Sequence, residues 1–248
     1  MNSTRLPGKV MRVTNGLPMI QLLVSRIKKS KFISEIIVAT SKNKSDDILV
    51  KFLKSKKIQF YRGSENNVLQ RISEAAKKYK ADIVVQLTGD NPLVDPEIID
   101  YMLKFYLNKY PYWSYVTNNG FGIRRNRTVP YGMDVQIYKL EDLMQNYKNS
   151  FKKDLEEHPS LYFYREGKKI YNIKNLKMPK KWTTNLNPRL TVDTQEDHSL
   201  VNIVFQKLGG KKNIFFSFEK ILKLLESNKK LIKINKNIKQ KSVNLNKF

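Results

Sequence analysis

The chain has 248 residues, with 47 Lys and Arg against 22 Asp and Glu and a net charge of +25. It has no cysteine, which excludes disulfides, thiol nucleophiles and cysteine metal sites, and its two histidines argue against a histidine-rich metal centre. The length suits one large domain or two small ones, burying roughly 70–75% of the unfolded surface. No signal peptide or apolar run of membrane-spanning length is apparent, so the expected location is the cytoplasm.

The first element is a loop, Ser3-Thr4-Arg5-Leu6-Pro7-Gly8-Lys9. Pro7 and Gly8 block a regular helix, so Arg5 and Lys9 are two cations on a shaped loop rather than a helical pair. Such a loop holds a polyphosphate, or it is a frayed basic terminus. Pro18 to Ser30 is predicted helical, with Ile20, Leu23, Val24 and Ile27 on one face. A buried strand is predicted over Glu35 to Thr40, then a helix capped by Ser45 with Ile48, Leu49, Phe52 and Leu53 inward. Ile58 to Tyr61 is a second strand. The turn Arg62-Gly63-Ser64 leads into a helix bearing Val68, Leu69, Ile72, Ala75, Ala76 and Tyr79. Asp82 to Leu87 is a third strand, ending in the loop Thr88-Gly89-Asp90-Asn91-Pro92, and a helix starts at Asp95-Pro96.

Trp113 to Thr117 and Met133 to Tyr138 read as strands whose direction the sequence leaves open, Arg189 to Asp193 as another short strand, with helices over Gln195 to Leu208 and Ser217 to Ser227. Apolar strands alternating with amphipathic helices predict an α/β fold with a mostly parallel sheet covered on both faces. The expected division is one domain over 1–227 and a basic tail over 228–248, which is a loose edge strand at Leu231 to Ile234 or disordered, with disorder expected after Lys239.

In an open α/β sheet, ligands bind outside the carboxyl ends of the strands. That rule selects Asp90, after the third strand, and Asp193, at the end of Leu190-Thr191-Val192. Two carboxylates on one rim suit a magnesium ion bound to a polyphosphate, because magnesium takes one or two protein carboxylates and fills its octahedron with water and phosphate oxygens. Each also has a plain reading, Asp90 as a turn residue and Asp193 as a helix N-cap. The N-terminal loop is not a Walker loop: Ser3 stands where the first Gly belongs, and Val10 follows Lys9.

Four segments in order carry a family resemblance. They are Ser3 to Lys9; Arg62-Gly63-Ser64-Glu65 with Val68-Leu69; Thr88 to Leu93; and Leu190-Thr191-Val192-Asp193-Thr194-Gln195-Glu196-Asp197. Together they resemble the cytidylyltransferases that activate acidic sugars, with the spore coat polysaccharide biosynthesis branch nearest and the acylneuraminate and 3-deoxy-manno-octulosonate enzymes related to it. The resemblance implies a three-layer nucleotidyltransferase fold of the glycosyltransferase A type. It implies a reaction in which CTP and a sugar acid give a CMP-sugar and pyrophosphate, with Mg2+ as cofactor and a homodimer as a common assembly.

By the same resemblance, Ser3, Thr4, Arg5, Lys9, Arg62, Ser64 and Asp90 bind the nucleotide, with Arg5, Lys9 and Asp90 catalytic. Asp90 and Asp193 hold the metal. Asn118, Arg125 and Asp134 lie in the family's sugar-side region.

Three departures stand out. Gln70 and Tyr131 occupy positions where Asp is common. The hydrophobic strand and extra Arg that precede the phosphate loop in the family are missing here, since Met1 sits at the loop itself. The fold is therefore expected to lack its first strand, leaving two unpaired edges, from a start placed too late or a shortened chain. The net charge has its own alternatives. It marks a nucleic-acid-binding protein, or it is compositional bias, as the scattered pairs Lys28-Lys29, Lys56-Lys57, Lys77-Lys78, Lys152-Lys153, Lys168-Lys169 and Lys180-Lys181 suggest. An inactive homologue acting as a scaffold is a third reading. No nucleic-acid or membrane partner is expected.

Overall fold

The structure is a computed structural model that describes residues 1, 3–149, 152–210 and 213–240. Lys9–Met11 form a short 3-10 turn, entered through Gly8 in the left-handed region (φ 66°), as the Pro7-Gly8 pair requires. A small hairpin, β1 (Val13–Thr14) and β2 (Leu17–Pro18), then leads into α1 (Met19–Ile27). The alternating run follows as β3 (Val38–Ser41), α2 (Asp47–Ser55), β4 (Phe60–Gly63), α3 (Val68–Lys78), β5 (Ile83–Gln86) and α4 (Pro96–Leu107). Beyond it come β6 (Tyr115–Thr117), β7 (Gln136–Lys139), α5 (Leu140–Asn149), α6 (Lys153–Glu157), α7 (Leu161–Tyr164) and β8 (Ile173–Asn175). The described chain closes with α8 (Gln195–Gly209), α9 (Phe218–Ser227) and α10 (Lys230–Lys233).

Short polar caps explain several helix starts. Asp95 accepts from the Glu97 amide with Pro96 beginning α4, and Ser217 accepts from the Lys220 amide at α9. Thr194 and Asp197 form a reciprocal capping box at α8. The expected Ser45 cap falls instead within a 3-10 turn over Lys44–Asp46, with Asp46 at the α2 N-cap.

Period-two alternation builds the layers. On β6 and β7, Val116 and Ile137 join one core with residues of α1, α4, α8 and α9. Tyr115 and Tyr138 turn to a second core with Leu69 of α3, Leu143 of α5 and Phe163 of α7. Likewise Ile83 and Val85 of β5 face the first core and Val84 the second. Helices thus cover both faces, giving the expected three-layer α/β architecture.

The sheet pairing is more mixed than expected. β3 and β4 are parallel, as are β6 and β8, but β7 runs antiparallel to both β5 and β6 in the order β5-β7-β6-β8. Among the described residues no ladder joins β3 to β5, and no strand precedes Lys9, so the pair β3-β4 stands apart from the four-stranded sheet. β5 is only half-buried along its length, whereas Tyr115, Val116, Ile137 and Tyr138 are fully buried.

Two sequence expectations are corrected. Arg189 to Asp193 is not a ladder strand. It is an extended segment whose amides go to loop carbonyls, Leu190 to Tyr131 and Val192 to Asp90. The edge strand expected over Leu231 to Ile234 is instead α10, with Leu231 packed on the main core. The expected disorder beyond Lys239 concerns mainly 241–248, which lie outside the described residues.

Candidate active site

Three segments distant in sequence meet at one point. The Lys9 ammonium lies 2.7 Å from Asp90 Oδ2 and 2.8 Å from Asp193 Oδ1, bridging the two carboxylates. Arg5 reaches the same cluster, with a guanidinium nitrogen 2.8 Å from Asp193 Oδ2. The juxtaposition is built into the backbone. Asp90 lies in the loop after β5, and its carbonyl accepts from the Val192 amide at 2.8 Å. The next bond along, from Leu190 to the Tyr131 carbonyl at 2.8 Å, threads the 190–192 segment between the 88–90 and 131–132 loops.

Gly132 is needed at that crossing. Its φ is 104°, and a Cβ there would lie 2.5 Å from the Leu190 carbonyl carbon. Gly89 is similarly close to the N-terminal loop, where a Cβ would meet Val10 at 3.2 Å.

The charges adjust to one another. Burial works against the Lys9 charge, but Asp90 and Asp193 outweigh it and hold the ammonium above its ordinary range. Burial likewise pushes the Asp193 carboxyl up, and Lys9, Arg5 and Arg189 outweigh it and hold it low. Both groups are therefore charged at neutral pH. Asp193 is not the helix cap, because Thr194 takes that position, so its carboxylate is left to the cluster.

Arg189 is the residue that sequence reasoning missed. It is buried, donates from Nη2 to Asp193 at 2.5 Å and from Nε to the fully buried Asp197 at 3.0 Å. Asp197 Oδ2 also accepts from the amides of Asp193 (2.9 Å) and Thr194 (3.2 Å). The available signal was an Arg four residues before Asp193 and an Asp four residues after it, flanking the candidate ligand.

The other predicted residues are distributed more widely. Ser3 accepts weakly from the Leu6 amide at 3.4 Å, and Thr4 is exposed on the same loop. Arg62 is held by the loop after β3, donating to the carbonyls of Ser41 (3.0 Å) and Asn43 (2.9 Å) and pairing with Asp47. Ser64 accepts from the Asn67 amide and closes the turn before α3. Neither Arg62 nor Ser64 touches the Lys9 cluster.

On the expected sugar side, Asp134 pairs with Arg127, and the Arg127 guanidinium lies 3.9 Å over the Tyr131 ring. Burial pushes the Asp134 carboxyl up against the pull of Arg127, and the Asp90 charge adds to the upward push. Arg125 is exposed on a 3-10 turn, Arg124–Asn126, in the loop that contains Phe121 at φ 55°. Asn118 is different. It is fully buried, and its amide group bonds the Met133 carbonyl (3.0 Å) and the Val135 amide (2.9 Å), so its side chain braces the entry to β7 rather than facing a ligand.

A second buried arginine supports the Asp90 loop from below. Arg26 donates to the carbonyls of Leu93, Val94, Ile214 and Phe216 and is 1% exposed. Asp95 ties the same loop to α9 by accepting from the Phe218 amide at 2.5 Å.

Comparison with known proteins bears on the family and the fold. The profile of a family described as cytidylyltransferase matches residues 1–245. The spore coat polysaccharide biosynthesis protein SpsF of Bacillus subtilis is 31% identical over 232 residues, which is 92% of this chain and 91% of that protein. A solved cytidylyltransferase from Leptospira borgpetersenii superposes with a TM-score of 0.84 at 29% identity, covering 97% of this chain and 95% of that one. The CTP complex of a CMP:2-keto-3-deoxy-manno-octonic acid synthetase shares the fold at TM-score 0.61 and 20% identity, covering 83% and 95%.

Proposed function

Since this chain belongs to the cytidylyltransferase family and is a CTP-dependent nucleotidyltransferase, we propose that it transfers CMP to a sugar acid for surface polysaccharide synthesis. The observation that carries the reading is the Lys9 ammonium seated between Asp90 and Asp193, with Arg5 beside it. This is a paired-carboxylate site with one cation between the carboxylates and a second beside Asp193, charges that suit a metal-bound triphosphate.

The donor set fits a hard divalent cation. It offers two carboxylates brought together by one lysine, and no cluster of three or more acidic, His or Cys ligands exists among the described residues. Two carboxylates suit Mg2+, which keeps water and phosphate oxygens for its other positions, better than a metal that demands a full protein cage. Asp90 and Asp193 would hold it, and when bound it would polarise the α-phosphate and lower the pKa of the attacking hydroxyl.

Arg5 and Lys9 bind the triphosphate and offset the negative charge that builds on the departing pyrophosphate. The sugar hydroxyl forms the new bond to the α-phosphorus as the bond to the β-phosphate oxygen breaks. No protein nucleophile enters. Ser3 and Thr4 lie on the loop that presents Arg5. Arg125 and Asp134 are the polar groups assigned to the sugar acid. Arg62 and Ser64 belong to the nucleotide side only through the loops they anchor.

The reading is tested by incubating the protein with CTP, Mg2+ and a panel of octulosonic and nonulosonic acids and measuring pyrophosphate release. Release that requires both CTP and one of the acids is the expected result. CTP-independent behaviour, or salt-sensitive oligonucleotide binding with no turnover, would reject it. Homodimer formation rests on the family resemblance and is read by size-exclusion chromatography with light scattering. No helix among the described residues is long and apolar enough to cross a membrane.

A further inference from the structure

Three residues of the segment after α10 make four hydrogen bonds to the charge cluster that a loose basic tail would not make. Asn235 is 2% exposed, and its side-chain amide donates to Asp197 Oδ1 at 2.7 Å and to the Arg189 carbonyl at 2.9 Å. Gln240 accepts from Arg189 Nη1. The Lys239 carbonyl accepts from Arg5 at 3.2 Å. Leu231 anchors the segment by packing on the main core.

These contacts complete a chain of hydrogen bonds, Asn235 to Asp197 to Arg189 to Asp193. Asp197 has four donors fixing it, from Arg189, Asn235 and two main-chain amides. Arg189 is thereby held on both sides, and its Nη2 fixes one oxygen of Asp193, leaving Oδ1 turned to Lys9. An arginine held at only one end would sweep through several rotamers and let that carboxylate rotate with it.

We infer that the 235–240 segment is a clasp that positions Asp193 for a divalent cation and aims Arg5, with Asn235 as its central positioning residue. The inference rests on the metal-site reading of Asp90 and Asp193. Outer partners that orient a ligand are worth about 10–100-fold in metal affinity. Asn235 neither contacts the cation nor the reacting atoms; it acts through Asp197 and Arg189.

The test measures Mn2+ binding by the electron paramagnetic resonance signal of free Mn2+, with the full chain and no substrate. Mn2+ stands in for Mg2+. Asn235→Ala is expected to weaken Mn2+ binding about tenfold and to raise the Mg2+ concentration for half-maximal pyrophosphate release by a similar factor. Leu143→Ala, in the second core and outside the 235–240 segment, is expected to lower the melting temperature and leave Mn2+ affinity within twofold. Gln240→Ala, at an exposed position, is expected to fold and to weaken Mn2+ about threefold, which keeps the test decisive if Asn235→Ala does not fold. Unchanged Mn2+ affinity in a folded Asn235→Ala, or in Gln240→Ala if that variant alone folds, overturns the clasp while leaving the active-site reading intact. A parent protein that binds no Mn2+, with or without CTP, overturns both.

Discussion

The Val192 amide donates to the Asp90 carbonyl at 2.8 Å, and this main-chain bond fixes the relation between the two carboxylates that Lys9 bridges. Backbone thus sets the spacing of the two loops, while Lys9 and Arg189 orient the carboxylates themselves. Side-chain substitutions at Asp90 and Asp193 should change chemistry without moving the loops.

Asp90→Asn and Asp193→Asn are each expected to lower the rate of CMP transfer by about 100- to 1,000-fold, the scale seen when one preorganised electrostatic contact is removed. Lys9→Met is expected to fall in the same range. Circular dichroism and melting temperature should stay near the parent values. A variant that retains more than a third of the parent kcat would remove that residue from the catalytic set.

Gly132→Ala tests the crossing of the 131–132 loop and the 190–192 segment. The new methyl would be driven to 2.5 Å from the Leu190 carbonyl carbon, at a φ of 104° that costs a non-glycine residue about 1–3 kcal/mol before any clash. Urea unfolding is expected to show at least that loss, and kcat is expected to fall as the Leu190 and Val192 bonds lengthen. Parent-like stability would show that the crossing has room to relax.

Arg26→Met removes a buried guanidinium while keeping a side chain the length of its aliphatic stem. Burial lowers the Arg26 pKa to about 10, against the pull of Asp95, so the group remains charged at neutral pH. Its loss would leave four carbonyls without this donor, and an unpaired buried polar group costs about 1–3 kcal/mol. The expected destabilisation is about 3 kcal/mol or more in urea unfolding. A loss below about 1 kcal/mol would mean the stem's packing, which Met retains, outweighs the hydrogen bonds.

His198 supplies a pH signature. Its ring bonds the Thr14 hydroxyl at 2.9 Å, and burial first, then the Arg12 charge, lowers its pKa below the ordinary value. The unfolded chain therefore binds the proton more readily than the folded one. This contribution to stability is complete above the unfolded pKa of about 6.5 and is lost as pH falls through the lowered folded value. Melting temperature measured from pH 7.5 to 5 should drop less steeply in His198→Gln than in the parent. Parallel curves would assign the acid sensitivity to other groups.

Much of the architecture was legible because the signals were local. The apolar runs at Val38 to Thr40 and Ile83 to Val85, and the caps at Asp95 and Ser217, each lie within a few residues of what they determine. That Asp90 and Asp193 lie together was legible from the strand-end rule, although the segment before Asp193 bonds loops rather than a strand. What sequence did not reveal depends on long-range pairing. Leu190 to Val192 has strand composition, yet it bonds loops instead of a neighbouring strand. The antiparallel direction of β7 follows from the route the chain takes through 118–135, which no periodicity records. Asn118 carries the right chemistry for a sugar contact, and only its burial shows that its amide is already committed. Arg189 and Asn235 acquire meaning only from each other.

The cluster around Lys9 draws on positions 81 and 184 residues apart along the chain. During synthesis the N-terminal loop and Asp90 leave the ribosome long before Asp193, and the N-terminal portion of a chain starts to organise first. For that interval Lys9 has one carboxylate to balance it instead of two. The paired acidic site is therefore among the last features to be completed, and any product interrupted between Asp90 and Asp193 carries the N-terminal loop and Asp90 without the second carboxylate.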